Sequence, residues 1–135
     1  MKKDSFGKII LFGEAEKGDF HLPFQFSSLI HLADSLGNPP DGSMGLHLGI
    51  QTLLFEKELI FIRVREEGFS IKDYMLGLSL LKEKEMHKDL LALGLPGVGD
   101  AEILAEAFHF CHSVGAFLMT TEKDFYDYLT HSRVN

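Results

Sequence analysis

The chain has 135 residues, of which 45% are hydrophobic and 24% charged, and its formal net charge is −7. That length suits one domain able to bury a core without metal or disulfide staples. The acidic balance argues against non-specific nucleic-acid binding, which rests on a basic surface, and the single cysteine, Cys111, excludes an internal disulfide and fits a reducing cytosol.

The first apolar run, Ile9-Ile10-Leu11-Phe12, is too short for a signal-peptide core, and no stretch has the apolar length of a membrane span. The expectation is a soluble, cytoplasmic protein with no membrane partner. Residues 8–13 read as a strand with consecutive apolar residues, as in a central strand covered on both faces. Phe20, Leu22, Phe24 and Phe26 alternate with polar or proline positions, which predicts a second strand or extended loop. Pro23 places it at an edge. Ser27 or Ser28 can cap a helix ending at Gly37. Asn38-Pro39-Pro40-Asp41-Gly42 is a loop. Over 44–56 the pattern fits a helix capped by Ser43, with a hairpin turning at Glu56-Lys57 as the rival; the helix is preferred. Leu59 to Val64 is β-branched and reads as a strand. Ser70 with Asp73 resembles a capping box opening a helix that buries Tyr74, Leu78 and Leu81. Asp89 to Leu93 is a strand or a helix end. Asp100 caps a helix that Gly115 ends, Ala116 to Met119 form a short strand, and Thr121 caps a last helix. Strands alternating with helices predict one α/β domain over 1–135. Its mixed sheet has about four to five strands with helices packed on it, an α+β arrangement with antiparallel hairpins being the alternative.

The densest signal is Leu93-Gly94-Leu95-Pro96-Gly97-Val98-Gly99-Asp100. A glycine-rich loop leading into a helix start can present backbone N–H groups to an anion, which makes Gly97, Gly99 and Asp100 candidate ligand-binding residues. Leu95 to Gly99 resembles the hairpin of helix-hairpin-helix DNA-binding motifs, whose glycine amides contact phosphates. Here Asp100, Glu102 and Glu106 follow, in place of the usual basic residues, and would repel a phosphate backbone. The same letters form a plain turn.

The last third resembles the end of a PIN-like nuclease domain, through Asp100, an apolar helix, Gly115-Ala-Phe-Leu-Met and Thr120-Thr-Glu122-Lys-Asp124-Phe125. That resemblance implies a metal-dependent phosphoester hydrolase in which carboxylates hold Mg²⁺, with Glu14, Asp100, Glu122 and Asp124 as candidate catalytic and metal-binding residues. The family's first-strand aspartate is absent, and Glu14 and Glu16 are the acids nearest its place. A local reading competes: Thr121 caps the helix and Asp124 sits in its first turn, favourable to the helix dipole.

Each of the three clearest strands is followed by a charged loop: Glu14-Ala-Glu16-Lys17, Glu66-Glu67 and Glu122-Lys123-Asp124. If the strands run parallel, these loops meet the Gly97–Asp100 turn at one sheet edge, where open α/β sheets bind ligands. His109 and His112 share a helix face, and Glu106 with His109 has Glu-x-x-His spacing, which a solvated face explains. Cys111 reads as a small core residue. Ser43 lacks a nucleophile elbow and reads as a cap. Twelve Phe, three Tyr and no Trp favour a dry core or a dry interface. Phe20, Phe24, Phe26, Phe55 and Phe69 are the candidates for an apolar face that pairs two copies or docks a protein.

Three functional classes follow. The preferred one is a non-catalytic binding or interaction domain with no cofactor. The others are the hydrolase, with Mg²⁺, and nucleic-acid binding through the glycine hairpin.

Overall fold

The computed structural model describes residues 7–134. The elements run β1 (Lys8–Gly13), β2 (Pro23–Phe26), α1 (Leu29–Leu36), α2 (Gly45–Leu54), β3 (Glu58–Arg63), α3 (Ile71–Glu83), β4 (Leu90–Gly94), α4 (Ala101–Val114), β5 (Phe117–Met119) and α5 (Glu122–Val134). They form a mixed five-stranded α/β sheet in the order β2-β3-β1-β4-β5. β3, β1, β4 and β5 are parallel, and β2 alone is antiparallel, paired with β3.

The consecutive apolar residues of β1 and β3 follow from burial on both faces. Ile10, Phe12, Ile60 and Ile62 point to one layer, where Tyr74, Leu78 and Leu81 of α3 meet Ile103, Ala107 and Phe110 of α4. Ile9, Leu11, Leu59 and Phe61 point to the other, against Leu32 and Leu36 of α1, Leu46 and Leu48 of α2, and Phe125 and Leu129 of α5. Ile9 to Phe12 are all fully buried, each worth about 1.5–3 kcal/mol relative to exposure. No helix of the described residues is long and apolar enough to cross a membrane.

Helix ends follow local chemistry in most places. Ser28 accepts the His31 N–H (3.2 Å) at the start of α1, and Gly37 closes it. Asp100 accepts from the Glu102 and Ile103 N–H groups at the start of α4, and Gly115 ends that helix in the left-handed region. Thr121 accepts the Asp124 N–H at 3.1 Å.

The structure corrects the sequence expectations at three places and settles an open one. Segment 44–56 is a helix, but Met44 holds the cap position and buried Ser43 donates its hydroxyl to the Pro40 carbonyl (2.7 Å). The second strand begins at Pro23, and Phe20 makes only an isolated bridge to Arg63. Ser70 and Asp73 form no capping box: Ser70 Oγ exchanges hydrogen bonds with the Glu66 backbone, and Asp73 turns toward Arg65. The Asp89–Leu93 ambiguity resolves as strand β4.

From β1 the chain steps to β3 on one side, then crosses to β4 on the other. The loops leaving β1 and β4 therefore diverge, and a crevice opens at the carboxyl ends of the strands.

Candidate functional site: a crevice at the carboxyl edge of the sheet

A crevice of about 500 Å³ lies at this edge. Every parallel strand contributes the loop that follows it. Glu14 comes from β1, Glu66, Glu67 and Phe69 from β3, Pro96 and Gly97 from β4, and Thr120, Thr121 and Glu122 from β5. Gly42 and Met44, ahead of α2, complete the wall. A second hollow of about 300 Å³ shares Met44 and Glu122 and adds His47, Gln51 and Tyr126 from α2 and α5. No lysine or arginine lines either.

The acids here do two different things. Glu67 is the structural one. Its carboxylate accepts the Glu14 N–H (2.9 Å), the Met44 N–H (2.6 Å) and the Gly45 N–H (3.1 Å). It thereby supplies the acceptor that Ser43 does not, placing a negative charge at the α2 N-terminus, where the helix dipole favours it. Glu14 reciprocates by accepting the Glu67 N–H at 2.9 Å. Glycine at position 45 permits this packing, since a Cβ there would fall 2.8 Å from Gly13 Cα and 2.9 Å from the Glu67 carboxylate. Glu66 and Glu122, by contrast, make no side-chain hydrogen bond among the described residues and remain available to a ligand.

The glycine loop has a packing role. Gly97 and Gly68 both take positive φ (80° and 90°), and a Cβ on Gly68 would lie 2.7 Å from the Gly97 carbonyl oxygen. The loops after β3 and β4 therefore touch backbone to backbone over the end of β1. The Gly68 N–H is donated to the Tyr74 hydroxyl at 2.6 Å. Tyr74 is fully buried and stacked on Phe12, and burial pushes its phenol well above the ordinary range. Gly99 has open space around it and an ordinary backbone conformation.

The four carboxylates of the nuclease-like reading do not gather as one set. Glu14 and Glu122 line the crevice. Asp100 spends its carboxylate capping α4, and Asp124 lines a different hollow beside Phe117 and Tyr128. Among the described residues, no three His, Cys, Asp or Glu side chains are arranged to hold a metal ion. The resemblance to helix-hairpin-helix motifs also ends here, because strand β4, and not a helix, precedes Leu95. Of the five phenylalanines expected in a core or at an interface, Phe26 is buried in the core, Phe20, Phe24 and Phe55 are half-buried, and Phe69 stands at the crevice rim with 75% exposure.

No protein-family model matches this chain, and no curated protein or solved structure matches it either.

Sequence reasoning missed a second cluster beside the crevice. Asp73, on the first turn of α3 and 3% exposed, accepts the Arg65 N–H at 2.7 Å and the Arg65 guanidinium at 2.9 Å. His21 Nε2 lies 2.5 Å from the same carboxylate. Burial alone would raise the Asp73 pKa; the Arg65 N–H, His21 and Ser70 hydrogen bonds outweigh it and hold the acid below its ordinary value. Phe20 packs beneath the Arg63 and Arg65 guanidinium groups, 4.2 and 4.5 Å from its ring centre. The partners lie 52 and 8 residues from Asp73, and no short motif links them.

Proposed function

We propose that this chain is a non-catalytic binding domain whose ligand, neutral or cationic, seats in the crevice at the carboxyl edge of the sheet. One observation carries the reading: the loops of all four parallel strands converge on a single opening that carries acids and threonine hydroxyls and no basic side chain. Such a lining offers hydrogen-bond acceptors and negative potential, so it favours amines or hydroxyl-rich molecules and disfavours phosphates. Glu66 and Glu122 are the proposed ligand contacts, with Phe69 and Tyr126 as exposed apolar surfaces at the rim. Glu14 and Glu67 hold the walls. A binding role without catalysis is further supported by the inertness of the nucleophile candidates. Ser43 is buried with its hydroxyl already donated, and burial pushes the Cys111 thiol up to about 11. An unpaired buried cysteine also suits a reducing, cytoplasmic setting.

The test is a titration of isotope-labelled protein, followed by amide NMR shifts. The probes are a small diamine, a polyol, a nucleoside triphosphate and a short single-stranded DNA. Shifts from the amine or the polyol centred on Gly97, Thr121 and Glu122, and weakened in Glu122→Gln, are expected. Shifts confined to other surfaces, or saturable binding of the triphosphate or DNA in the crevice, would overturn the proposal.

A further inference from the structure

The His21–Asp73–Arg65 cluster joins three separate parts of the chain at the outer side of the crevice wall. His21 belongs to the segment leading into edge strand β2, Asp73 to α3, and Arg65 to the loop that carries Glu66, Glu67 and Phe69 into the crevice. His21 is held firmly. Its backbone takes the left-handed conformation (φ 70°) and its N–H is donated to the Arg63 carbonyl at 3.0 Å. Backbone strain of this kind persists where surrounding contacts enforce it.

A carboxylate only accepts, so the 2.5 Å contact puts a proton on His21 Nε2 and leaves Nδ1 as the basic nitrogen of the neutral ring. Arg65 Nη1 lies 3.2 Å from the same Nε2. With Nε2 protonated, that contact is donor against donor. Both groups compete for Asp73 Oδ1, which they approach to 2.5 and 2.9 Å. While His21 is neutral, Arg65 balances the charge of Asp73. When Nδ1 takes a proton, two cations share one buried carboxylate. A further cation near this site is Arg63, whose guanidinium donates to the Gly18 carbonyl and lies over Phe20. Of the two competitors, Arg65 leaves more readily: its side chain is 59% exposed, against 23% for His21, and its remaining side-chain contact among the described residues is the Phe20 ring, 4.5 Å from the guanidinium carbon.

We propose that His21, Asp73 and Arg65 form a proton-sensitive clasp that sets the position of the Arg65–Ser70 loop. Protonation of His21 displaces the Arg65 guanidinium from Asp73 into solvent and loosens the loop. The Arg65 N–H bond to Asp73 remains as a hinge point. Any consequence for a ligand rests on the crevice reading given above, whereas the movement itself does not.

Amide NMR of the ligand-free protein from about pH 8 to about pH 5, the range in which imidazoles titrate, tests the clasp. Glu66 to Phe69 amides and the Arg65 Nε–H signal are expected to shift in one step whose midpoint matches that of the His21 ring protons. Hydrogen exchange of those amides, corrected for intrinsic pH dependence, is expected to rise several-fold on the acid side. In His21→Gln the step disappears. In Arg65→Gln the loop resembles the acid form at every pH while His21 still titrates. Loop signals that do not move in the wild type, or a step that survives His21→Gln, would overturn the proposal. Because no ligand is present, failure of the crevice reading leaves this result unaffected.

Discussion

Replacing Glu67 by alanine tests whether one crevice acid is architectural. Its carboxylate accepts from Glu14, Met44 and Gly45, and Gly45 is buried. Hydrogen bonds to a charged acceptor each contribute about 1.5–3 kcal/mol, and an orphaned buried donor costs about 1–3 kcal/mol. The three do not add in full. Glu14 and Met44 are only half-buried at the crevice wall, so water can reach their freed N–H groups. Gly45, deep against Gly13, cannot be rescued this way. The net expectation for Glu67→Ala is about 3 kcal/mol, above the roughly 0.5–2 kcal/mol of a lost helix cap because the carboxylate also holds the Glu14 N–H, and a melting midpoint about 10 °C lower. Glu67→Gln keeps one acceptor oxygen but turns an NH₂ toward N–H donors, and about 2 kcal/mol is expected. The neighbouring Glu66→Ala removes a side chain that makes no hydrogen bond and should stay within about 0.5 kcal/mol of the parent. Urea unfolding of the three variants, fitted with a common m-value, gives the comparison. If Glu67→Ala proves as stable as Glu66→Ala, the carboxylate does not hold α2 in place and the account of this wall is wrong.

Four further outcomes follow from the same contacts. Tyr74→Phe leaves the buried Gly68 N–H without its 2.6 Å acceptor and is expected to lose about 1–3 kcal/mol in urea unfolding, with a neutral result counting against that bond. Gly68→Ala drives a Cβ to 2.7 Å from the Gly97 oxygen at a positive φ, so about 2 kcal/mol of destabilisation is expected, and a wild-type melting curve would refute the loop contact. Asp73 has a folded pKa below 3.8, so its contribution is present above the unfolded value and lost as pH falls through the folded one; Asp73→Asn should flatten stability against pH below about 4. An unchanged acid limb would contradict this. Cys111, with its thiol pushed up to about 11, should react with an alkylating reagent at pH 8 only as fast as the protein opens, and rapid labelling of the native state would show the burial to be wrong.

Much of the fold is readable from short-range patterns. Ile9 to Phe12 and Leu59 to Ile62 announce strands covered on both faces, and Asp100 and Gly115 bracket α4. The start of α2 is not readable, because the acceptor at its N-terminus is Glu67, twenty-two residues away, and the nearer Ser43 turns back to Pro40. For the same reason the carboxylates could be nominated but not sorted. Asp100 and Asp124 look functional beside an apolar helix, yet both are explained by helix starts within three residues. Glu14 and Glu122 share a crevice only because β1 and β5 run parallel, with β4 between them. His21 and Asp73 meet through the antiparallel placement of β2, which alternation in 20–26 suggests without fixing its partner.

The glycine loop and the missing basic residues have one explanation at this sheet edge. A doubly wound sheet normally offers an anion its helix N-termini, where free N–H groups and the helix dipole converge. Here the α2 N-terminus already holds Glu67, and the α4 N-terminus already holds Asp100. The protein therefore satisfies with its own carboxylates two of the positions a phosphate would take. The glycines of the loop serve instead to bring the Gly97 and Gly68 backbones together over β1. What remains outward-facing is the negative charge of Glu66 and Glu122. A phosphate placed there would meet like charge, although the α5 N-terminus at Glu122, where Thr121 caps only the Asp124 N–H, also faces the crevice; an amine would meet the acceptors without that repulsion. Removing Asp100 tests this balance directly: Asp100→Ala frees the Glu102 and Ile103 N–H groups. If the carboxylate is what closes this edge to anions, sulfate should stabilise the variant more than the parent in thermal unfolding. Equal stabilisation of both would show that the cap is not what excludes them.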